Sequence, residues 1–274
     1  MKKIIKKTGI IEDFDENKLI QSLINVGADY EIAKKICYTI YNKIPALIKA
    51  DELWKLVLKE LKKYHLGFAT KYNLKKAIYN LGPTGFPFER YFAKILAEYG
   101  YETIINEWVD GSCLSYEIDI IAVKEEERYI VECKFHNQEG VKSDLKTVLY
   151  VFGRWIDIQT NYPYLKSWLA TNTKISEEGI KFAECKNIKI TAWKYPPGES
   201  LEKLIEGKQV YPITILLSGN KFIYSKLVEN NFVIIQDLLR YKPEEISNIT
   251  GVDVDKIKKL VEEIKYLTQI SPSS

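Results

Sequence analysis

The sequence predicts a mixed α/β (α+β) protein: a central mixed sheet flanked by helices, set between a mainly helical N-terminal domain and a small helical C-terminal one. Three observations predict it. The middle of the chain alternates helical and strand periodicities in the order α-β-β-β-α-β, then α-β. A lysine-rich, mainly helical pattern precedes it, and helical pattern returns after Ser218-Gly219-Asn220. The 274 residues, 46% hydrophobic and 28% charged, have the composition of ordinary globular protein and the length for two domains or a core domain with appendages. The expected domains are 1–82, 83–212 and 213–270.

Each element has its own signal. The first segment closes at Asn80-Leu81-Gly82-Pro83-Thr84-Gly85, a breaker cluster that reads as a linker. Phe88, Tyr91, Phe92, Ile95, Leu96 and Tyr99 then recur at helical spacing, with Pro87 suited to the first turn and Gly100 to the position past the end. A strand is expected from Tyr101 to Val109, and Asp110-Gly111 signals a tight turn. Two apolar-alternating stretches around Glu117-Ile118-Asp119 and Glu132-Cys133-Lys134 flank the polar run 124–128, a hairpin connection by length. Val141, Leu145, Val148, Leu149, Phe152, Trp155 and Ile156 mark a long amphipathic helix. A buried strand over Trp168 to Thr171, a helix opening at Ser176 with Glu177 and Glu178 in its first turn, and a strand from Ile188 to Trp193 complete the centre. The last segment reads as helices over Val233 to Leu239, from Pro243, and from Asp253 through Tyr266, with residues 271–274 fraying.

Composition narrows the chemistry. A net charge of +3 permits a nucleic-acid partner without demanding one. No stretch approaches the roughly 18 apolar residues of a membrane helix and the lysine-rich start shows no signal-peptide pattern, so the expectation is a cytoplasmic protein without a membrane partner. Cys37, Cys113, Cys133 and Cys185 lack any C-x-x-C spacing, and His65 and His136 are the only histidines. Neither a structural zinc site nor serine or cysteine hydrolase chemistry has its residues.

The hairpin carries the chemistry that remains. Strand alternation puts Glu117 and Asp119 on one side, and Glu132 and Lys134 do the same. If the hairpin is symmetric about its polar run, Asp119 lies roughly opposite Glu132, within the separation of about 4.5–5.5 Å between cross-strand Cβ atoms. Such a pair repels unless solvent separates it or a cation bridges it, and its oxygen donors suit Mg²⁺. Lys134 would then hold an attacking water and offset charge on a phosphate. The alternative is a surface hairpin of solvated charges. Glu117 is either a third carboxylate of the site or a solvated neighbour. Tyr150, Arg154 and Asp157 share one side of the long helix, where Arg154 either contacts a phosphate or belongs to a packing face.

With motif order and element order together, residues 83–212 resemble the PD-(D/E)XK restriction-endonuclease-like superfamily, in particular its Mrr-type branch. The carriers are Glu89 in GFPFERYFAKILAEYGY, Asp119 in EIDIIA, and Glu132 with Lys134 in VECKF. The resemblance implies a DNA endonuclease dependent on Mg²⁺ or Mn²⁺, acting in restriction or repair. Asp119, Glu132 and the backbone carbonyl of Cys133 would bind the metal. Lys134 would orient the water, Glu89 would support the site, and the 3′ oxygen would leave. For Glu89 the other reading is a helix-surface charge paired with Arg90 or Lys94. Glu117 stands where some relatives carry Pro or Gly.

IIKKTGIIEDFDENKLIQSLINVGA resembles the ATP-cone, a nucleotide-binding regulatory domain, with Lys6, Lys7 and Lys18 as the implied triphosphate partners of ATP or dATP. Ala69, Tyr72, Lys75 and Lys76 stand where that family shows A-x-x-Y-x-x-Y-R. The alternative is a lysine-rich helical bundle. Residues Thr250-Gly251-Val252-Asp253 and the following helix are similar to helix-hairpin-helix domains, which bind phosphate on backbone amides or serve protein contacts. The integrated expectation is a nucleotide-regulated endonuclease acting on DNA, a homodimer where both strands are cut. Its rivals are a nucleotide-sensing DNA-binding regulator whose nuclease fold is only a scaffold, and a helical adaptor.

Overall fold

A computed structural model describes residues 2–268, so the end run 271–274 expected to fray lies outside the described residues. In chain order, β1 (Lys3–Ile5) and β2 (Ile11–Asp13) form an antiparallel pair, and β3 (Leu47–Lys49) joins β1 in parallel to give the order β2-β1-β3. Between them run α1 (Glu16–Ile24) and α2 (Tyr30–Lys43), opened by Asp15 and Asp29, whose carboxylates accept the Lys18 and Ile32 amides at 3.0 and 2.8 Å. Next come α3 (Ala50–Tyr64), α4 (Leu66–Tyr72) and α5 (Leu74–Tyr79).

The centre begins with α6 (Phe86–Glu98) and the strands β4 (Glu102–Asp110), β5 (Ser115–Lys124) and β6 (Glu127–Lys134). A short β7 (Lys142–Ser143) precedes α7 (Leu145–Asn161), followed by β8 (Lys166–Thr171), β9 (Lys174–Ile175), α8 (Glu177–Cys185), β10 (Lys189–Thr191) and α9 (Leu201–Lys208). After a 3-10 turn at Ile213–Ile215, the chain ends in α10 (Lys221–Glu229), α11 (Ile235–Leu239), α12 (Pro243–Thr250) and α13 (Val254–Thr268). Among the described residues no helix is long and apolar enough to cross a membrane.

These elements make two compact units. One joins the residues up to 77 with 213–230 and those from 238 onward; the other holds 78–212 and 231–237. In the first, Leu23, Ile36, Ile40, Val57 and Leu61 form a fully buried core. Glu263 of α13 is 3% exposed and ties distant parts of the chain together. Its carboxylate accepts Thr70 Oγ1 of α4 at 2.9 Å, the Leu217 and Ser218 amides at 2.7 and 2.8 Å, and Ser218 Oγ at 2.6 Å.

The second unit is the mixed α/β fold the sequence predicted. Its five-stranded sheet has the order β10-β8-β6-β5-β4; the β4-β5-β6 meander is antiparallel, and β6, β8 and β10 run parallel. The core beside β8 packs Trp168 edge-to-face against Phe92, Tyr101 and Tyr129, ring centres 5.1–5.7 Å apart.

Three local expectations are corrected. The polar run 124–128 is mostly strand: β5 and β6 meet through a two-residue turn at Glu125 and Glu126, with Glu125 at φ +53° and Lys124 paired with Glu127. Asp110-Gly111 is no two-residue turn but the start of the loop 111–114, closed by the Gly111 amide on the Leu114 carbonyl at 2.8 Å. The long helix opens after Asp144 rather than at Val141. It buries Val148, Val151 and Ile158 and leaves Leu149 and Ile156 exposed, because the neighbouring elements cover a face rotated from the expected stripe.

Glu263→Ala strands the buried Thr70 hydroxyl and two partly buried amides and is expected to cost this unit about 2 kcal/mol, against under about 0.5 kcal/mol for the exposed neighbour Glu262→Ala. Urea midpoints of the two variants followed by circular dichroism are the check.

Candidate active site

Glu89 enters the site from the first turn of α6. That helix is apolar nearly all round, burying Phe88, Tyr91, Phe92, Ala93, Ile95 and Leu96, and Glu89 is buried with them at 8% exposure. The surface-charge reading of Glu89 therefore fails. Arg90 turns to Asn231 (2.9 Å), and Lys94 to Asp237 (2.5 Å), whose carboxylate also accepts the Val233 and Ile234 amides. Glu89 instead accepts Asn106 Nδ2 at 3.3 Å. Asn106 sits within β4 between the pairs Ile105–Ile120 and Glu107–Ile118, across the ladder from Asp119, at φ +55°. Asn is among the residues that tolerate this left-handed conformation, and an Asn inside a strand pattern was the available signal for it.

The β5–β6 ladder runs from Lys124–Glu127 to Ile120–Val131, so Asp119 and Glu132 are the next positions on the two strands just past its end. Asp119 accepts the Cys133 amide at 2.6 Å. Burial pushes its carboxyl above the usual range, against the pull of that amide and of Arg154. Burial, and then the charge of Asp119, push Glu132 to about 7. The same two causes push Glu89 to about 7, and Glu117 adds to the rise of both Glu89 and Asp119. Three carboxyls thus feel one another, while the exposed Lys134 pulls Asp119 and Glu132 down. The Cys133 thiol is buried and pushed far up by that burial, which leaves it inert. Among the described residues, no three His, Cys, Asp or Glu side chains are already gathered as a metal cluster.

Arg154 of α7 accounts for part of that. Its guanidinium bonds the Glu132 carboxylate and donates to the Glu117 carbonyl. It lies over the rings of Tyr116 and Tyr150 at 5.3 and 5.5 Å. Neither of the two roles foreseen for Arg154 included an ion pair with Glu132, because the pairing joins positions 22 residues apart. Three residues on, Asp157 caps the loop after β4: it accepts Ser112 Oγ at 2.6 Å, the Cys113 amide at 2.9 Å and the Leu114 amide at 3.2 Å, and these bonds hold its carboxyl far below the usual range. A Cβ on Gly111 would stand 2.2 Å from Asp157 Oδ2, so the cap requires glycine there.

Beyond Lys134, the backbone of His136 is held twice by Asn172, its amide donating at 2.9 Å and its carbonyl accepting at 2.7 Å. Ser143 Oγ meets His136 Nε2 at 3.1 Å and Thr171 Oγ1 at 3.3 Å, and Thr171 donates to the Lys134 carbonyl at 2.7 Å. This hydroxyl relay fixes the end of β6 on which Lys134 stands. It left no mark in the sequence beyond the polar triplet Thr171-Asn172-Thr173 inside an otherwise apolar strand end.

In the other unit, the three lysines expected to meet a nucleotide are in ion pairs: Lys6 with Glu12 (2.9 Å), Lys7 with Asp51 (3.5 Å) and Lys18 with Asp15 (3.8 Å). Lys76 shares Asp51 with Lys7 and lies 3.9 Å over the Trp54 ring. Tyr72 is half-buried and bonded to Ser22. At the C-terminal hairpin, Gly251 adopts φ +70° as a left-handed helix end. The first amides of α13 are taken by Asp253, which accepts from Asp255 and Lys256 at 3.1 and 3.3 Å, where a phosphate would have to bind.

The family description Restriction endonuclease matches residues 83–197, and AF1548-like, C-terminal, matches 211–268. An uncharacterized protein of Archaeoglobus fulgidus is 39% identical over 173 residues, 63% of this chain and 97% of that one. The crystal structure of a protein of unknown function, AF1548, is 36% identical, superposes with a TM-score of 0.60, and covers 68% of this chain and all of its own.

The carboxyl environment sets a pH dependence. Glu89 and Glu132 hold protons up to about 7 in the folded chain but only to the ordinary carboxylate range when unfolded, so the folded state binds more protons in between. Their contribution to stability is full below that window, is lost as pH rises through it, and stays lost above about 7. Melting curves of the metal-free protein are expected to fall across this interval, and Glu89→Gln with Glu132→Gln to flatten the slope.

Proposed function

From the premise that the chain belongs to the AF1548-like family and carries a restriction-endonuclease-like domain, we propose that it is a divalent-metal-dependent endodeoxyribonuclease. The observation that carries this reading is Asp119 fixed by the Cys133 amide at the end of the β5–β6 ladder next to Glu132, with Glu89 held by Asn106 from α6 and Lys134 two residues beyond Glu132; Glu89 and Glu132 both feel the charge of Asp119. Structural roles do not call for such an arrangement, and perturbed carboxyls of this kind gather at catalytic sites.

The donor set fits a hard cation. Asp119, Glu132 and the Cys133 carbonyl supply only oxygen atoms, which suits Mg²⁺ or Mn²⁺, and burial raises both carboxyls above the usual range. When bound there, the metal would activate water and polarise the phosphate. The protein's own residues do the rest. The Cys133 amide fixes Asp119 by one oxygen and leaves the other for the ion. Lys134, exposed at the end of β6, donates to the attacking water and offsets charge growing on the phosphoryl oxygens. Glu89, oriented by Asn106, supports the same centre. The water oxygen bonds to phosphorus as the bond to the 3′ oxygen breaks. Two such centres in a homodimer would cut both strands, in restriction or repair within the cytoplasm.

The N-terminal segment is read as the sensor of ATP or dATP through Lys6, Lys7 and Lys18. Their present partners are exposed carboxylates, and exposed ion pairs are worth at most about 1 kcal/mol each, so a triphosphate can replace them. One observation favours a second reading, a DNA-binding regulator with a non-catalytic nuclease scaffold: the Arg154 guanidinium already neutralises Glu132.

A supercoiled-plasmid assay separates the two. The nuclease reading expects nicking in Mg²⁺ or Mn²⁺ that Lys134→Ala or Glu132→Ala lowers by at least about a hundredfold while DNA binding persists. Binding without cutting by the parent protein, with or without ATP and dATP, leaves the regulator. Calorimetric titration with each nucleotide is expected to show binding that the triple Lys6→Ala, Lys7→Ala, Lys18→Ala variant weakens by about tenfold or more.

A further inference from the structure

Beside the carboxylates lies a polar groove of about 370 Å³ with no part in the chemistry above. One wall is Thr84 and Gly85, just before α6, and the other is the segment after β6, with Phe135, His136, Asn137 and Gln138. It borders the site at both ends. A Cβ on Gly85 would stand 3.1 Å from Glu89 Oε1, and Phe135 directly follows Lys134.

Its walls combine a fixed frame with free recognition groups. The His136 backbone is clamped by Asn172, and the Phe135 ring rests on Phe88 with centres 5.7 Å apart. Among the described residues, no hydrogen bond engages the carboxamides of Asn137 or Gln138. Among the described residues, no acidic side chain lines the groove, so a phosphodiester strand can approach it. Each carboxamide offers a donor and an acceptor together, the combination displayed on nucleobase edges. The volume lies at the lower end of the range for small-ligand pockets, about 300–1,000 Å³, which is room for one nucleotide unit.

We propose that this groove receives an unpaired nucleobase next to the phosphodiester that the neighbouring carboxylates attack, so that the substrate is DNA with an unpaired nucleotide at the cut. The proposal rests on the nuclease reading and names its substrate class. A base inside a continuous stack offers no face or pairing edge to such a groove, and drawing it out costs unstacking that a bulged, flapped or single-stranded nucleotide has already met. Phe135 supplies an apolar wall for the ring, and Asn137 and Gln138 bond its edge.

The test uses the full chain with Lys134→Ala to silence cutting. Labelled probes are a single strand, a perfect duplex and the same duplex with one bulged nucleotide, read by fluorescence anisotropy. The bulged and single-stranded probes are expected to bind at least about tenfold tighter than the perfect duplex, and Asn137→Ala with Gln138→Ala to reduce that preference to under about threefold. Equal binding of all probes, or a preference untouched by the double substitution in a chain of unchanged melting temperature, overturns the proposal. The same probes are then given to the parent chain with Mg²⁺. Cutting without preference sinks the groove and leaves the nuclease standing; preference in binding with no cutting sinks the nuclease and leaves the groove.

Discussion

The register of the β5–β6 hairpin is the constraint on which the candidate site depends. Side chains alternate along a strand, so a slip of one residue would send Asp119 or Glu132 to the far side of the sheet and exchange each for an apolar neighbour. Two features pin it. The two-residue turn at Glu125 and Glu126 fixes the pairing from Lys124–Glu127 onward, and Ile120, Ala122 and Val131, all buried, would have to surface if it moved. The bond from the Cys133 amide to Asp119 closes the far end. Parallel pairing of Glu132 with Leu169 and Lys134 with Thr171 then seats the second strand against the rest of the sheet.

Like charges held this close oppose folding, and the structure manages the opposition with partial measures. Asn106 and the Cys133 amide donate to two of the carboxylates, Arg154 faces the third, and Lys134 contributes from the rim. Glu89 and Glu132 remain pushed to about 7 in spite of these partners. Glu263 shows the contrast. A buried carboxylate with a purely architectural task is satisfied by four donors.

Much of this was legible in the sequence, for physical reasons. Period-two alternation placed the strands, period 3.6 placed α6, and Ser176 followed by Glu177 and Glu178 placed the start of α8, because each signal is local. That Asp119 lies roughly opposite Glu132 followed from approximate symmetry, since the polar run is centred on Glu126, half a residue past the centre of the true turn at Glu125 and Glu126. What stayed hidden is what depends on distant partners. Arg154 reaches Glu132 across 22 residues, Asp157 caps a loop that read as a tight turn, and Asn106 adopts a left-handed conformation inside a strand. The offset of the α7 stripe, with Leu149 and Ile156 exposed, reflects which face the sheet covers, a matter no window of one helix contains.

Arg154 and Asp157 stand a single turn apart on the same rigid rod, one gripping the carboxylate of β6 and the other the loop that leads into β5. The rod is therefore a mechanical yoke. Axial sliding or rolling of α7 cannot release the guanidinium without also tugging the loop, and because Gly111 leaves no slack beneath Asp157, the play allowed at either grip is set by the tighter of the two. Alignment of the two strands is thereby inherited from the stiffness of a helix rather than from the hairpin alone.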